Sequence, residues 1–251
     1  MQDPSRTMDL LYLIGPDSGH ENRELRWSLR SVEKYARGLG RVVVAGYPPD
    51  WLSEEVARVP ARDEPDESKF VSIWRKLFAA LDAGAVSGEF LVSADDHFYS
   101  APADLAATPF FTRGELRRFE DTEARDGGRA YRRHLAATRR VLARAGYGTR
   151  DCASHCNFRV RAEDAPDVRR LWETAEPNER IRAFDLCSCF YNVRAKKEEI
   201  EFTFRRDRKI VAFDAEAVAS GQFSIGNRAF DDPRLLSYMD AEFGRKSRFE
   251  K

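Results

Sequence analysis

The segment EFLVSADDHFYS, Glu89 to Ser100, places two adjacent carboxylates, Asp95 and Asp96, directly after a short apolar run, Phe90-Leu91-Val92. Paired carboxylates at a strand end suit a hard divalent cation, which prefers oxygen ligands and usually keeps phosphates in its shell. Ligands of open α/β sheets bind just beyond the carboxyl ends of strands. An isolated Asp-Asp pair is more often a solvated acidic turn, so its neighbours must decide. Upstream, Gly15-Pro16-Asp17-Ser18-Gly19 leads into Asn22, a good N-cap. Such a Gly/Ser loop feeding a helix N-terminus can hold phosphate with free N–H groups and the positive end of the helix dipole. GPDSGHEN is neither a Walker sequence nor a GxGxxG fingerprint, so the loop alone is a weak signal. Lys69, Arg75 and Lys76 come just before the acidic pair and are placed to neutralise a diphosphate.

A group-transfer site of this kind also needs a base for an acceptor hydroxyl if the reaction inverts. Asp151, His155 and Asp185 are the candidates downstream, and the choice among them stays open. Cys152, His155, Cys156, Cys187 and Cys189 could supply four zinc ligands, but CxxHC and CxC match no common finger. Ordinary reduced thiols explain them better. There is no GxSxG elbow and no triad spacing among four histidines, so nucleophilic serine or cysteine catalysis finds no support.

The elements that must carry these groups follow a βαβ order. Leu10 to Ile14 reads as a buried strand, Leu25, Leu29, Val32 and Ala36 as one face of a helix, and Arg41 to Ala45 as a second strand. A parallel sheet is the natural architecture. Val56 to Val59 reads as a short strand, and Phe70, Trp74, Leu77, Phe78 and Leu81 mark an amphipathic helix before the acidic motif. Later segments predict a helix over Asp164 to Thr174, two short strands in EFTF and KIVAF between Glu201 and Phe213, and a terminal helix from about Pro233.

The chain has 251 residues with 42 basic and 42 acidic side chains, enough for one domain spanning 1–251 and without a global charge that implies a polyanion or a membrane. No apolar run approaches the roughly 20 residues needed to span a bilayer. The N-terminus lacks a signal-peptide pattern, and a cytoplasmic location is the expectation. Charge is nevertheless uneven: from Arg113 to Arg150, eleven arginines stand against five acidic residues. Arg129 to Ala145 is helical by pattern, and Arg129, Arg133, Arg140 and Arg144 share one side of it. A stripe of that kind suits a polyanion, since each neutralised phosphate releases counterions, although charged helix faces are usually just solvated.

Taken together, NRELRWSLRSVEKY, EFLVSADDHFY, the SHC segment at His155 and FSIGNRAFDD resemble the small glycosyltransferases encoded by bacteriophages, which are similar in turn to the Stealth sugar-phosphate transferases. The resemblance implies a GT-A-like α/β fold, a mixed, mostly parallel sheet flanked by helices, here with an Arg-rich helical insertion at 113–150. It implies a nucleotide-sugar donor of UDP type and a divalent metal, Mn2+ or Mg2+, on Asp95 or Asp96. Gly15, Ser18, Gly19, Asn22 and Arg26 or Arg30 would face the donor, with Lys69 and Lys76 near its phosphates. Lys209 and Ser224 to Asn227 would close the site. The preferred acceptor is a 5-hydroxymethylpyrimidine in DNA, held by the arginine stripe; a polysaccharide acceptor or sugar-phosphate transfer is the alternative. A nucleic-acid-binding module without activity is the third reading. The chain departs from the family pattern at Ala94, at Asp17 and at Cys156-Asn157.

Overall fold

The computed structural model describes residues 7–16, 20–116, 129–152, 157–205 and 209–251. Ser18, Gly19 and His155 lie outside the described residues. In chain order the main elements are β1 (Met8–Ile14), α1 (Arg23–Tyr35), β2 (Leu39–Gly46), β3 (Val56–Pro60), α2 (Lys69–Asp82), β4 (Glu89–Ser93) and β5 (His97–Tyr99). They continue with β6 (Phe110–Thr112), α3 (Arg129–Arg144), β7 (Phe158–Arg161), α4 (Ala165–Glu173), α5 (Pro177–Arg182), α6 (Leu186–Lys197) and β8 (Phe202–Phe204). A short helix α7 (Ala215–Ala219), β9 (Gln222–Ser224) and α8 (Pro233–Phe243) complete the described chain.

Five strands form the central sheet in the order β7-β4-β1-β2-β3. β1 pairs in parallel with both β2 and β4, and β3 joins β2 in parallel. Only the edge strand β7 runs antiparallel, against β4. The expected mostly parallel sheet flanked by helices is therefore present. Side chains alternate across it with the period of two that a strand dictates. Leu11, Val43, Ala45, Phe90 and Val92 bury one face under α2, α3, α4 and α6. Leu10, Tyr12, Val42, Val44 and Leu91 bury the other face under Leu25, Leu29 and Val32 of α1. The outer side of α1 is covered in turn: Trp27 packs with Phe98, Phe223, Met239 and Phe243 in a third cluster built by β5, β9 and α8.

Two expectations need correction. KIVAF is not a strand: Ile210 makes only an isolated bridge to Ile225, just past β9, and Val211 is exposed. The first helix stops at Tyr35, so Ala36 is its C-cap and not part of its apolar face, and the chain continues at once into an extended pair at Ala36–Arg37. No helix among the described residues is long and apolar enough to cross a membrane.

Candidate functional site

The carboxyl ends of β1 and β4 point at one place. β1 ends at Ile14 and Gly15; β4 ends at Ser93, and the turn beyond it carries Asp95 and Asp96. β5 follows immediately, pinned to β9 by pairing of His97 with Ser224 and Tyr99 with Gln222. Ile225 donates its backbone N–H to the Asp96 carbonyl at 3.0 Å. Behind the turn, Tyr12 and Ser28 bond at 2.9 Å, and Ser28 donates to the His97 carbonyl at 2.7 Å. The acidic turn is thus held from β1, α1 and β9 at once.

A cavity of about 500 Å³ opens in front of it, lined by Gly15, Glu24, Lys69, Lys76, Asp95 and Asp96 among others. Lys209 and Asn227 close it from the C-terminal half. A second cavity, about 280 Å³, shares Lys69, Asp95, Asp96 and Lys209 with the first and extends toward α3 and α6. Asp185, His134 and Tyr131 lie in its wall. Gly15, Lys69, Lys76, Asp95 and Asp96 therefore do meet, and Asp185 joins them from the other side.

The electrostatics of the larger cavity are unbalanced. Lys69, Lys76 and Lys209 face Glu24, Asp63, Glu67, Asp95 and Asp96, three cations against five carboxylates. Lys76 is buried and already committed, its Nζ 2.8 Å from Asp63 Oδ1 and 2.6 Å from Ser72 Oγ. Lys209 pairs with Asp96 Oδ2. Asp96 is 7 % exposed, and its Oδ1 is buried without a hydrogen-bond partner among the described residues. Burial, reinforced by the neighbouring Asp96 charge, pushes the Asp95 carboxyl up from its ordinary range. Burial and then the charges of Asp95 and Asp96 raise Glu24 to about 7. In both groups burial is the leading cause, and the charges of Lys209 and Lys69 act against it.

Among the described residues, no three His, Cys, Asp or Glu groups come together tightly enough to hold a metal by themselves. Magnesium-type sites on nucleotides, however, use one or two protein carboxylates and complete the shell with phosphate oxygens and water. The orphaned Asp96 Oδ1, the adjacent Asp95 and the net acidity fit that arrangement. A diphosphate alone would meet more negative than positive charge here.

Other expected residues have different work. Arg26 and Arg30 do not line either cavity; both are ion-paired to Glu250, at 2.8 and 2.7 Å, and the Arg26 guanidinium also lies 4.0 Å from the Trp51 ring centre. Their place in the donor site is corrected accordingly. Asn22 is the N-cap of α1 but makes no side-chain cap bond and lies outside the lining of both cavities. Arg75 lines neither cavity and pairs with Glu64 and with Glu67, the latter a lining residue of the larger cavity. Asp151 is clamped by Arg113 at 2.9 Å and lines neither cavity. Of the arginine stripe, Arg140 and Arg144 are drawn to the buried Glu179, at 3.4 and 2.6 Å. Arg133 is exposed, and the side chain of Arg129 lies outside the described residues. Cys152, Cys187 and Cys189 are buried and form no disulfide among the described residues, and burial pushes the Cys152 and Cys189 thiols well up.

Several participants were missed in the sequence. Glu24 sits in the first turn of α1, where an acidic residue is ordinary helix chemistry. His20 lines the larger cavity and stacks on Phe230 at 3.8 Å. It begins a run of three left-handed non-glycine residues, His20, Glu21 and Asn22, with φ of 64°, 56° and 58°. Such strain concentrates at functional sites, and nothing in the local sequence announces it. No family model matches the chain, and no curated protein matches it either.

Proposed function

We propose that the chain is a nucleotide-sugar-dependent glycosyltransferase with a GT-A-like arrangement, working in the cytoplasm, where its buried thiols stay reduced. The observation that carries this reading is the shared wall: Asp95, Asp96, Lys69 and Lys209 separate two cavities at the carboxyl ends of β1 and β4. A donor diphosphate belongs in the larger cavity, between Lys69 and Lys209. The acceptor belongs in the smaller one, so the attacking hydroxyl and the leaving diphosphate approach the same anomeric carbon from opposite sides.

Asp95 and Asp96 would hold the divalent cation, which when bound supplies charge stabilisation for the departing diphosphate. The chain's own residues do the rest. Lys69 and Lys209 offset charge on the phosphate oxygens as it builds. Asp185 takes the proton from the acceptor hydroxyl while its oxygen forms a bond to the anomeric carbon. The bond from that carbon to the phosphate oxygen breaks, and the nucleoside diphosphate leaves with the electron pair.

The acceptor reading changes with the geometry. A stripe with two of its four arginines absorbed by Glu179 gives weaker support to a hydroxymethylpyrimidine in DNA than the sequence pattern suggested. The decisive measurement is calorimetric titration of UDP, with and without Mn2+ or Mg2+, followed by mass spectrometry of UDP-glucose incubated with the protein and acceptor panels. Metal-dependent UDP binding is expected. Absence of binding to UDP and to every other nucleoside diphosphate, with either metal, overturns the reading.

A further inference from the structure

The smaller cavity has a chemical character of its own. Phe70, Ile73, Phe158, Phe184 and Leu186 supply apolar and aromatic surface on several sides. Phe70 stacks on the buried His134 ring, centroids 4.0 Å apart and planes 15° from parallel. The Asp185 carboxylate lines the same cavity, and its position is determined twice over. Its Oδ2 accepts the Ser188 N–H at 2.7 Å as the N-cap of α6, and its own N–H donates to Thr138 Oγ1 at 2.9 Å. Its Oδ1 stands 4.0 Å from His134 Nε2. One carboxylate oxygen is thus spent on the helix cap, and the other lies on the His134 side.

Charge narrows what can enter. Among the described lining residues the only lysines or arginines are Lys69 and Lys209, both on the wall shared with the diphosphate cavity, while Asp95, Asp96 and Asp185 are all carboxylates. An anionic acceptor would meet net repulsion. A neutral ring with an apolar C–H face and hydroxyls on its edge meets complementary groups: aromatic faces for the one, a fixed carboxylate for the other.

We propose that the cavity between α2, α3 and α6 is an acceptor subsite for a neutral pyranose, its ring face on Phe70 and one hydroxyl on Asp185. The proposal rests on the glycosyltransferase reading above and specifies the acceptor class of that same site as a saccharide. A hydroxymethylated base on a nucleic acid is then the competing outcome of the test.

Saturation-transfer NMR with methyl β-glucopyranoside, methyl α-galactopyranoside and methyl α-mannopyranoside, in the presence of UDP and Mn2+, tests it directly. Saturation of ring protons of at least one pyranoside is expected. Affinity should fall roughly fivefold to tenfold in Phe70→Ala, as for loss of one aromatic contact. Asp185→Asn keeps the cap oxygen for Ser188 and so guards against a folding artefact; it too should weaken pyranoside binding, with UDP affinity unchanged. Normal UDP binding with no pyranoside signal overturns the subsite, as does a signal that survives both substitutions. Salt-sensitive binding of a hydroxymethylcytosine oligonucleotide that Phe70→Ala abolishes would replace the saccharide with nucleic acid. Loss of UDP binding in the unaltered protein would instead strike the glycosyltransferase reading, and is distinguishable for that reason.

Discussion

Arg30 grips Glu250 with two parallel bonds, Nε to Oε1 at 2.7 Å and Nη2 to Oε2 at 2.8 Å. Arg26, one helical turn earlier, adds a third at 2.8 Å. Glu250 also accepts from the backbone N–H and the hydroxyl of Ser247, each at 3.1 Å. The two arginines of α1 therefore anchor the segment after α8.

That clasp makes stability depend on acid. Burial alone would raise the Glu250 carboxyl, but its bonds from Arg30, Ser247 and Arg26 outweigh it and bring it down to about 2. A carboxylate depressed in the folded state stabilises above its unfolded value, about 4.3, and loses that contribution as pH falls toward the folded one. Glu250→Gln should cost about 3 kcal/mol near pH 7, because two arginines lose a buried partner. The gap in Tm between the variant and the unaltered protein should close between about pH 4 and pH 2. Equal Tm values at pH 7 would show the clasp to be incidental.

A second prediction concerns Gly46, the last residue of β2, at φ +112°. A Cβ there would stand 2.1 Å from the Ile14 carbonyl oxygen and 2.8 Å from Lys76 Cε. The first contact is backbone and cannot yield; the second would displace the buried lysine stem beside Asp63. Gly46→Ala should destabilise by at least about 2 kcal/mol, from strained backbone and clash together. Denaturant titration measures the loss, and weaker UDP binding should accompany it. A variant as stable as the unaltered protein would mean that this strand end is not rigid.

Much of this architecture is legible from local pattern, and the reason is physical. LLYLI, RVVVA and EFLVS are short apolar runs because a parallel strand buried on both faces needs no polar side, and all three are strands of the central sheet. Asp95 and Asp96 follow one of them, so their place at a strand end could be read directly. Long-range pairing could not. Arg30 and Glu250 are 220 residues apart, and Arg113 and Asp151 are 38 apart, so no spacing rule links either pair. The same limit hid the partner of Arg140 and Arg144, because Glu179 of α5 meets that helix face only in the folded chain. Glu24 was hidden differently, since its raised affinity for a proton arises from burial and from Asp95 and Asp96, which come from another element.

The acidic wall gives a third prediction. Asp96→Asn removes the charge that faces Lys209 while keeping an oxygen and nearly the same volume. If Asp95 and Asp96 hold a cation with the donor phosphates, Mn2+ bound in the presence of UDP should weaken about tenfold or more, read by electron paramagnetic resonance without any turnover. Donor turnover should fall by about two to three orders of magnitude. Lys209→Met should behave in the opposite sense toward the metal, freeing Asp96 Oδ2 and strengthening Mn2+ binding while weakening UDP. Unchanged Mn2+ affinity in both variants would remove the metal from the site.

The fourth prediction separates architecture from acceptor binding on α3. Glu179 is buried, and burial alone would raise it; the Arg144 bond, with the Glu176 backbone and Arg140, holds it below the usual carboxylate range. Replacing Arg140 and Arg144 together with Ala strands that carboxylate. The expected cost is about 2 kcal/mol, less than for a fully buried pair because both arginines are partly exposed. The same double variant should leave the salt dependence of binding to a hydroxymethylcytosine duplex untouched, since both guanidinium groups are already paired with Glu179. A lowered slope of binding against salt, by about two for two lost phosphate contacts, would restore the arginine face as a nucleic-acid surface, and an unchanged Tm would show that Glu179 does not need these partners. Arg133→Ala serves as the control for an exposed arginine of the same helix, with stability expected to stay within about 0.5 kcal/mol.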